Sequence, residues 1–185
     1  MRLFVSLEPP TSAVEDLDEF LDVRRDADSG LRWSSPQQWH LTLAFMGSAP
    51  DRVVEDVVSG VAVAAGRSAP VGLSLEGGGC FPDVSRARVL FVGLSGGDGL
   101  APLTRAVRTA CSVAGAAPEG GPFHPHVTLA RFRRPGDATR WVRVLDTYAG
   151  PPWTATEVAV VASHLPRDRG HLPRHEVLAR VPLGG

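Results

Sequence analysis

Lysine is absent from this chain of 185 residues, tyrosine occurs once, and the two cysteines are Cys80 and Cys111. Two distant cysteines provide neither a disulfide framework nor a thiolate metal site. We therefore expect both thiols to be core residues of a protein in the reducing cytoplasm. No segment approaches the 18 consecutive apolar residues of a membrane-spanning helix, and the N-terminal apolar run is too short for a secretory signal. A membrane partner is therefore not expected.

Because lysine is absent, arginine supplies all 19 basic side chains, against 20 acidic ones. The charge is unevenly distributed. Residues 1–60 hold 11 acidic and 5 basic side chains, whereas residues 101–185 hold 6 acidic and 11 basic. Codon usage and solvated surfaces can account for the arginines, but guanidinium groups are also well suited to bind phosphates. The overall balance of charge excludes a general duplex-binding protein.

Two short segments of the chain repeat each other. His40–Leu43 reads His-Leu-Thr-Leu, 86 residues later His126–Leu129 reads His-Val-Thr-Leu, and alanine follows both. Side chains two residues apart in a strand point to the same face, so each segment would present an imidazole and a hydroxyl together. One such histidine is usually structural. Two in matching contexts predict a site for acid–base chemistry on a phosphate.

The apolar periodicity predicts strands and helices in alternation. The predicted strands span 2–7, 40–46, 71–76, 88–94, 124–132, 154–163 and 175–181. The predicted helices span 13–25, 51–65, 100–114 and 138–147. Ser12 and Glu15 form a capping-box signature for the first helix, Asp51 is the expected cap of the second, and Gly77–Gly79 is expected to separate two strands. No linker marks a second domain, so these patterns predict one internally duplicated, two-lobed α+β domain over residues 1–185.

A pair of imidazoles suits in-line displacement at phosphorus. The nucleophile enters opposite the leaving oxygen, so proton transfer is needed on opposite sides of the phosphate. Imidazole can act as acid or base near neutral pH. Two threonine hydroxyls can donate to the non-bridging oxygens. With an arginine carrying the remaining charge, no metal is required.

Further residues carry a resemblance to a known family. They are Arg2–Val5, Pro9–Pro10, Arg32–Trp33, His40–Gly47, Gly79–Pro82, Arg88–Leu90 and Pro122–Arg131. With them the chain resembles the 2H phosphoesterases, and among these the bacterial and archaeal RNA 2′,3′-cyclic phosphodiesterases, also called 2′-5′ RNA ligases. The resemblance implies an α+β fold with a central cleft between two mainly antiparallel sheets, each contributing one His-x-Thr segment.

The resemblance also implies a reaction, which is hydrolysis of a 2′,3′-cyclic phosphate at an RNA end to a 2′-phosphate. His40 would donate a proton to the leaving 3′ oxygen, His126 would accept a proton from water, and Thr42 and Thr128 would hold the phosphate. The implied substrates are RNA ends or cyclic nucleotides. We expect a monomer with no metal, cofactor or obligate protein partner. By microscopic reversibility, a 5′-hydroxyl RNA end in place of water would give 2′-5′ ligation without ATP.

Three further residues have competing interpretations. The family has an arginine after the second segment, so Arg131 is a candidate phosphate ligand. In a regular strand, the Arg131 side chain would point to the face opposite His126, unless a β-bulge changes the alternation. The alternative to phosphate binding is that Arg131 is a charged surface residue. Phe4 and Phe81 can offer stacking faces for a base, although core packing is the simpler interpretation.

The chain departs from the family near its C-terminus. The family has a glycine followed by a tyrosine in its closing strand, whereas this chain has Gly170 and then His175. Substrate selection is therefore expected to differ there. His164, His171 and His175 are given no catalytic role.

Three alternative functions remain open. The first is a 2′-5′ ligase whose main task is joining RNA halves, and the second is an RNA-end binding module without chemistry. The third is a histidine metalloprotein, because His124 shares strand parity with His126. Pro125 between them and the lack of a nearby carboxylate argue against that metal site.

Overall fold

A computed structural model of the chain describes residues 1–25, 30–165 and 173–184. The sequence also predicts a turn around Ser29-Gly30, of which Ser29 lies outside these described residues, as do Gly170 and His171. No helix in the described ranges has the length and apolar character needed to cross a membrane.

The described residues form nine strands. They are β1 (Arg2–Leu7), β2 (Leu31–Trp33), β3 (Leu41–Met46), β4 (Val71–Phe81), β5 (Ala87–Gly96), β6 (Val127–Gly136), β7 (Trp153–Ala155), β8 (Glu157–His164) and β9 (Arg174–Pro182). The strand predicted over 154–163 is two strands, because the chain passes at Thr156 from β7, an edge strand paired with β4, to β8, an inner strand paired with β1 and β9. The glycine run expected to separate strands lies inside β4. Gly77 has a φ of 72° at a register shift, so the glycines bend the strand rather than end it.

Four helices occur in the described residues. They are α1 (Thr11–Arg25), α2 (Val54–Gly66), α3 (Leu100–Val113) and α4 (Thr139–Leu145). Both predicted caps are wrong. Helix α1 begins one residue before Ser12, because the Pro10 carbonyl accepts from the amides of Ala13 and Val14. Asp51 begins a short 3-10 turn after Pro50, and α2 follows it.

The strands pair antiparallel in the order β7-β4-β5-β6-β3-β1-β8-β9, with β2 also on β6. In this order, β3, β1, β8 and β9 form one half of the sheet, and β6, β5, β4 and β7 form the other. The halves meet where β3 and β6 pair at Leu41 and Val127. The antiparallel α+β class is therefore confirmed, and the two predicted sheets are joined edge to edge at this junction.

The helices pack their apolar stripes against this sheet. Helix α1 buries Ala13, Leu17 and Leu21 at a spacing of four residues, which is the period of one helical face. Cys111 is fully buried in α3, as expected of a core thiol, and burial raises its pKa to about 11. Cys80 is only half-buried in β4, so the expectation of a core position is not met there.

Candidate active site

A cavity of about 470 Å³ is lined from both halves of the sheet. It brings together the five residues singled out from the sequence: His40, Thr42, His126, Thr128 and Arg131. Nine further residues line it: Arg2, Phe4, Ser34, Gln38, Phe45, Glu119, Ser163, Pro173 and His175. The junction between β3 and β6 creates this cavity, since each histidine stands one residue before the first residue of its strand.

The two imidazoles are held in the same way. The Nδ1 of His40 lies 2.6 Å from the carbonyl oxygen of Gln38, and the Nδ1 of His126 lies 2.6 Å from that of His124. A carbonyl oxygen can only accept, so each Nδ1 donates a proton. This bond fixes the ring orientation and the tautomer, which leaves Nε2 as the nitrogen free for proton transfer.

Both His-x-Thr segments contain a β-bulge at the same position. In β3, Val5 pairs with Ala44 and Ser6 pairs with Thr42, so Leu43 is left over. Leu43 and Ala44 are consequently both buried although they are neighbours in the strand. The bulge reverses the strand parity, and Phe45 lines the cavity together with Thr42.

The second bulge decides the position of Arg131. Leu90 pairs with Ala130 and Phe91 pairs with Thr128, so Leu129 is the extra residue. Simple alternation, which would turn Arg131 away from His126, is therefore wrong. The bulge brings the guanidinium to the cavity instead.

The carbonyl oxygens of the two bulged residues have different partners. The backbone amide of Ser34 donates to the Leu129 carbonyl at 2.8 Å. The Nε of Arg108 donates to the Leu43 carbonyl at 3.0 Å, and its Nη1 donates to the carbonyl of Gly121 at 3.2 Å. Arg108 on α3 therefore links the first bulge to the loop that leads to the second histidine.

Aromatic rings pack against both imidazoles. Phe4 stacks on His40 with ring centroids 4.7 Å apart, whereas Phe81 and Phe91 lie 4.9 and 5.1 Å from His126. Gly79 makes room for the Phe91 ring, because a Cβ there would lie 2.2 Å from a ring carbon. Phe4 and Phe81 thus pack against the catalytic candidates His40 and His126. The use of the two phenyl rings as stacking faces for a base stays a prediction.

Burial lowers the pKa of both histidines. For His40, desolvation dominates, and nearby His175 and His126 lower its pKa further. The hydrogen bond to the Gln38 carbonyl and the charge of Glu8 raise it in part. For His126, desolvation again dominates, opposed by the hydrogen bond to the His124 carbonyl, and the charge of nearby His124 lowers the pKa further.

His175 is a third imidazole in the cavity. It lies on β9 with its ring edge-on to His40 and Phe4, at centroid distances of 5.5 and 5.0 Å. Desolvation lowers its pKa as well. The position at which the chain departs from the family therefore lines the site.

Several cavity residues were not anticipated from the motif. The sequence does contain a signal for Phe45, because Phe45 follows His40 by five residues, just as Arg131 follows His126. Arg2, Glu119 and Ser163 come from distant segments, and no local pattern marks them.

No group of three or more His, Cys, Asp and Glu side chains suited to a metal ion occurs in the described part of the chain. His124 is exposed, and it meets His126 through its backbone carbonyl. The metal-free reaction stays a prediction.

A larger groove of about 1190 Å³ lies between α2 and α3. Its lining is mostly apolar and includes Val63, Ala64, Ala106 and Val113. The described residues that line this groove include no histidine and no pair of proton-transfer groups. The smaller cavity is therefore the candidate active site.

Comparison with known proteins is consistent with this assignment. A sequence model of the 2′-5′ RNA ligase superfamily matches residues 9–167. The RNA 2′,3′-cyclic phosphodiesterase of Geobacillus stearothermophilus is 30% identical over 165 residues, which are 86% of this chain and 51% of that protein. The chain thus spans about half the length of that relative.

Solved structures share the fold along the whole chain. The protein TT0787 of Thermus thermophilus gives a TM-score of 0.80 at 28% identity and covers 100% of this chain and 99% of its own. Escherichia coli LigT in complex with 3′-AMP gives a TM-score of 0.74 at 26% identity and covers 98% and 97%. These similarities confirm the predicted fold class and the family resemblance.

Proposed function

Because the chain belongs to the 2′-5′ RNA ligase superfamily, we propose that it hydrolyses RNA 2′,3′-cyclic phosphate ends to 2′-phosphates. The observation that carries the proposal is the matched pair of imidazoles in one cavity, each with Nδ1 bound to a carbonyl and Nε2 free. The Geobacillus relative, an RNA 2′,3′-cyclic phosphodiesterase, and the 3′-AMP bound to LigT support a nucleotide substrate.

The proposed step is an in-line displacement. Water attacks phosphorus, and Nε2 of His126 takes its proton. The bond from phosphorus to the 3′ oxygen breaks, and Nε2 of His40 gives a proton to that oxygen. The products are a 2′-phosphate and a 3′-hydroxyl. Thr42, Thr128 and Arg131 donate to the non-bridging oxygens, whose charge grows in the transition state.

The charges around the two rings differ. Glu8 favours the protonated form of His40, although desolvation and His175 oppose it more strongly, and no carboxylate among the described residues has a corresponding effect on His126. Burial lowers the pKa of both rings and so favours their neutral forms in the free protein. The anionic phosphate raises the pKa of His40 when it binds, so the acid is charged in the complex.

The test is product analysis with an RNA that ends in a 2′,3′-cyclic phosphate, with and without a second RNA that carries a 5′-hydroxyl. We expect the 2′-phosphate as the main product in both reactions, and no effect of EDTA. A predominant 2′-5′ joined product would favour the ligase. Tight binding with unchanged substrate would indicate an RNA-end binding module, and loss of turnover with EDTA would indicate a metalloprotein. The proposal includes a cytoplasmic monomer without cofactor.

A further inference from the structure

The two half-sites present different side chains at equivalent positions. Five residues after each histidine, and just beyond each bulge, β3 presents Phe45 and β6 presents Arg131. Both side chains line the cavity. The second half-site thus has a guanidinium where the first has an aromatic ring.

Arg2 supplies a guanidinium to the first half-site. Its central carbon lies 5.1 Å from the centroid of the Phe45 ring, which is the geometry of a cation–π contact. Arg2 stands on β1, two residues before Phe4, and it lines the same cavity. The guanidinium near the first half-site therefore comes from β1 and not from the strand that follows the histidine, and it lies against the Phe45 ring.

The Arg2 guanidinium has unused hydrogen-bonding capacity. Its Nε is buried and has no hydrogen-bond partner, which is uncommon for a buried polar group. Within the described part of the chain, no carboxylate forms an ion pair with it. Glu119 lines the same cavity, but its backbone amide donates to the Phe45 carbonyl at 2.8 Å, and its carboxylate lies near Gly47.

We infer that Arg2 binds the phosphodiester that precedes the terminal cyclic phosphate, which makes RNA ends of two or more nucleotides the preferred substrates. The inference rests on the proposed function. A cyclic phosphodiester carries one negative charge, and the two histidines, two threonines and Arg131 surround it. A second guanidinium in the cavity has a second anionic group as its natural ligand.

The spacing along β1 fits this role. Phe4 stacks on His40, and Arg2 is displaced from Phe4 along β1 by two residues, or about 7 Å. That displacement is of the order of one nucleotide step along an RNA strand. Arg2 is therefore placed to contact the next phosphate rather than the reacting one.

The experiment compares a 2′,3′-cyclic mononucleotide, which has no preceding phosphodiester, with a dinucleotide that ends in the same cyclic phosphate. Arg2→Gln should raise the KM for the dinucleotide about tenfold, as loss of a charge-assisted contact does, and leave its kcat unchanged. Both constants for the mononucleotide should stay unchanged. Arg2→Lys, which keeps the charge without the planar fork, should give a smaller rise for the dinucleotide alone. Arg140→Gln, on the exposed surface of α4, is the matched control and should alter neither substrate.

Each other outcome has a defined meaning. An equal loss on both substrates would mean that Arg2 acts at the reacting phosphate or in the fold, and no change on either would mean that it contacts no phosphate. Both results overturn the inference. Thermal unfolding shows whether Arg2→Gln folds. If it does not, the inference is tested with Arg2→Lys, for which a rise in KM for the dinucleotide alone supports it and any other result overturns it.

Failure of the proposed function can be told apart from failure of this inference. If the unaltered protein hydrolyses neither substrate, the proposed function fails. The inference is then decided by calorimetric Kd values for the same two cyclic compounds. Arg2→Gln must weaken binding of the dinucleotide tenfold and leave that of the mononucleotide unchanged, and any other pattern overturns it.

Discussion

The first half-site, built on β3, and the second, built on β6, have the same local frame and different surroundings. Each has a histidine whose Nδ1 donates to the carbonyl two residues earlier at 2.6 Å, followed by a threonine and a bulge. The neighbours of the rings differ. His40 lies against Phe4 and His175, whereas His126 lies against Phe81 and Phe91.

In the proposed reaction, a repeated motif serves two opposite tasks. An acid and a base must start in opposite protonation states, which identical environments would not provide. The repeated sequence sets the position of Nε2 in both halves. The non-repeated neighbours, among them Glu8 and His175, make the two rings inequivalent.

The largest expected effect comes from removing either imidazole. His40→Ala and His126→Ala should each lower kcat about 10²–10⁴-fold, because each removes one proton-transfer group. If the two act as one unit, the double variant should lose little more than the worse single variant. Steady-state kinetics on a cyclic-phosphate RNA measure this, with thermal unfolding as the control for the fold. Full activity in either single variant would refute the assignment.

Removing a hydroxyl should have the next largest effect. Thr42→Val and Thr128→Val keep the side-chain shape and should each reduce kcat about 10²-fold, since each removes a donor to the transition-state oxygens. Similar losses in the two variants would support equivalent phosphate contacts from the two halves. A change confined to KM would instead mean that the hydroxyls hold substrate and transition state equally.

The bulges offer a smaller and more local test. The Leu43 carbonyl depends on the Arg108 side chain, whereas the Leu129 carbonyl binds a backbone amide that substitution does not remove. Arg108→Gln should lower kcat about tenfold, with KM less affected, because the first bulge would no longer hold the catalytic side chains in position. It should also lower the free energy of unfolding by about 1.5–3 kcal/mol, because a hydrogen bond to a charged group is lost. Arg105→Gln, on the exposed face of the same helix, is the control. A loss of stability with kcat intact would make Arg108 purely structural.

The smallest expected effect is a shift in pH dependence. The plot of kcat/KM against pH should be bell-shaped, because His126 must be neutral and His40 protonated. Both pKa values are lowered by burial, so the maximum should lie below the ordinary histidine pKa of about 6.5. In the plot of kcat the alkaline limb should lie at higher pH, because bound phosphate raises the pKa of His40.

His175 provides the matched perturbation of that profile. His175→Gln removes an imidazole that lowers the pKa of His40, so the limb of the kcat/KM profile that reports His40 should move to higher pH. The other charged groups that act on His40, Glu8 and His126, are unchanged, and the limb that reports His126 should stay in place. Equal movement of both limbs would contradict the inequivalence of the half-sites.

Much of the fold was predictable because its signals are local. Strand β1 was predicted with its observed bounds, and α3 within one residue, since apolar periodicity reports on the neighbours within a segment. The position of Arg131, by contrast, depends on a distant segment. The bulge at Leu129 exists because β5 pairs on both sides of it, and strand parity alone therefore misplaced Arg131.

The sequence by itself determined the family, the α+β class and the pair of His-x-Thr segments, because these depend on residue identity and short-range spacing. Only the tertiary structure decided which side chains surround the imidazoles. Arg2 and His175 reach the cavity from β1 and β9, strands separated by most of the chain, and Phe45 and Arg131 reach it through bulges. Hydrogen bonding between strands is non-local, so burial, ring orientation and the inequivalence of the two histidines emerge only when the halves meet.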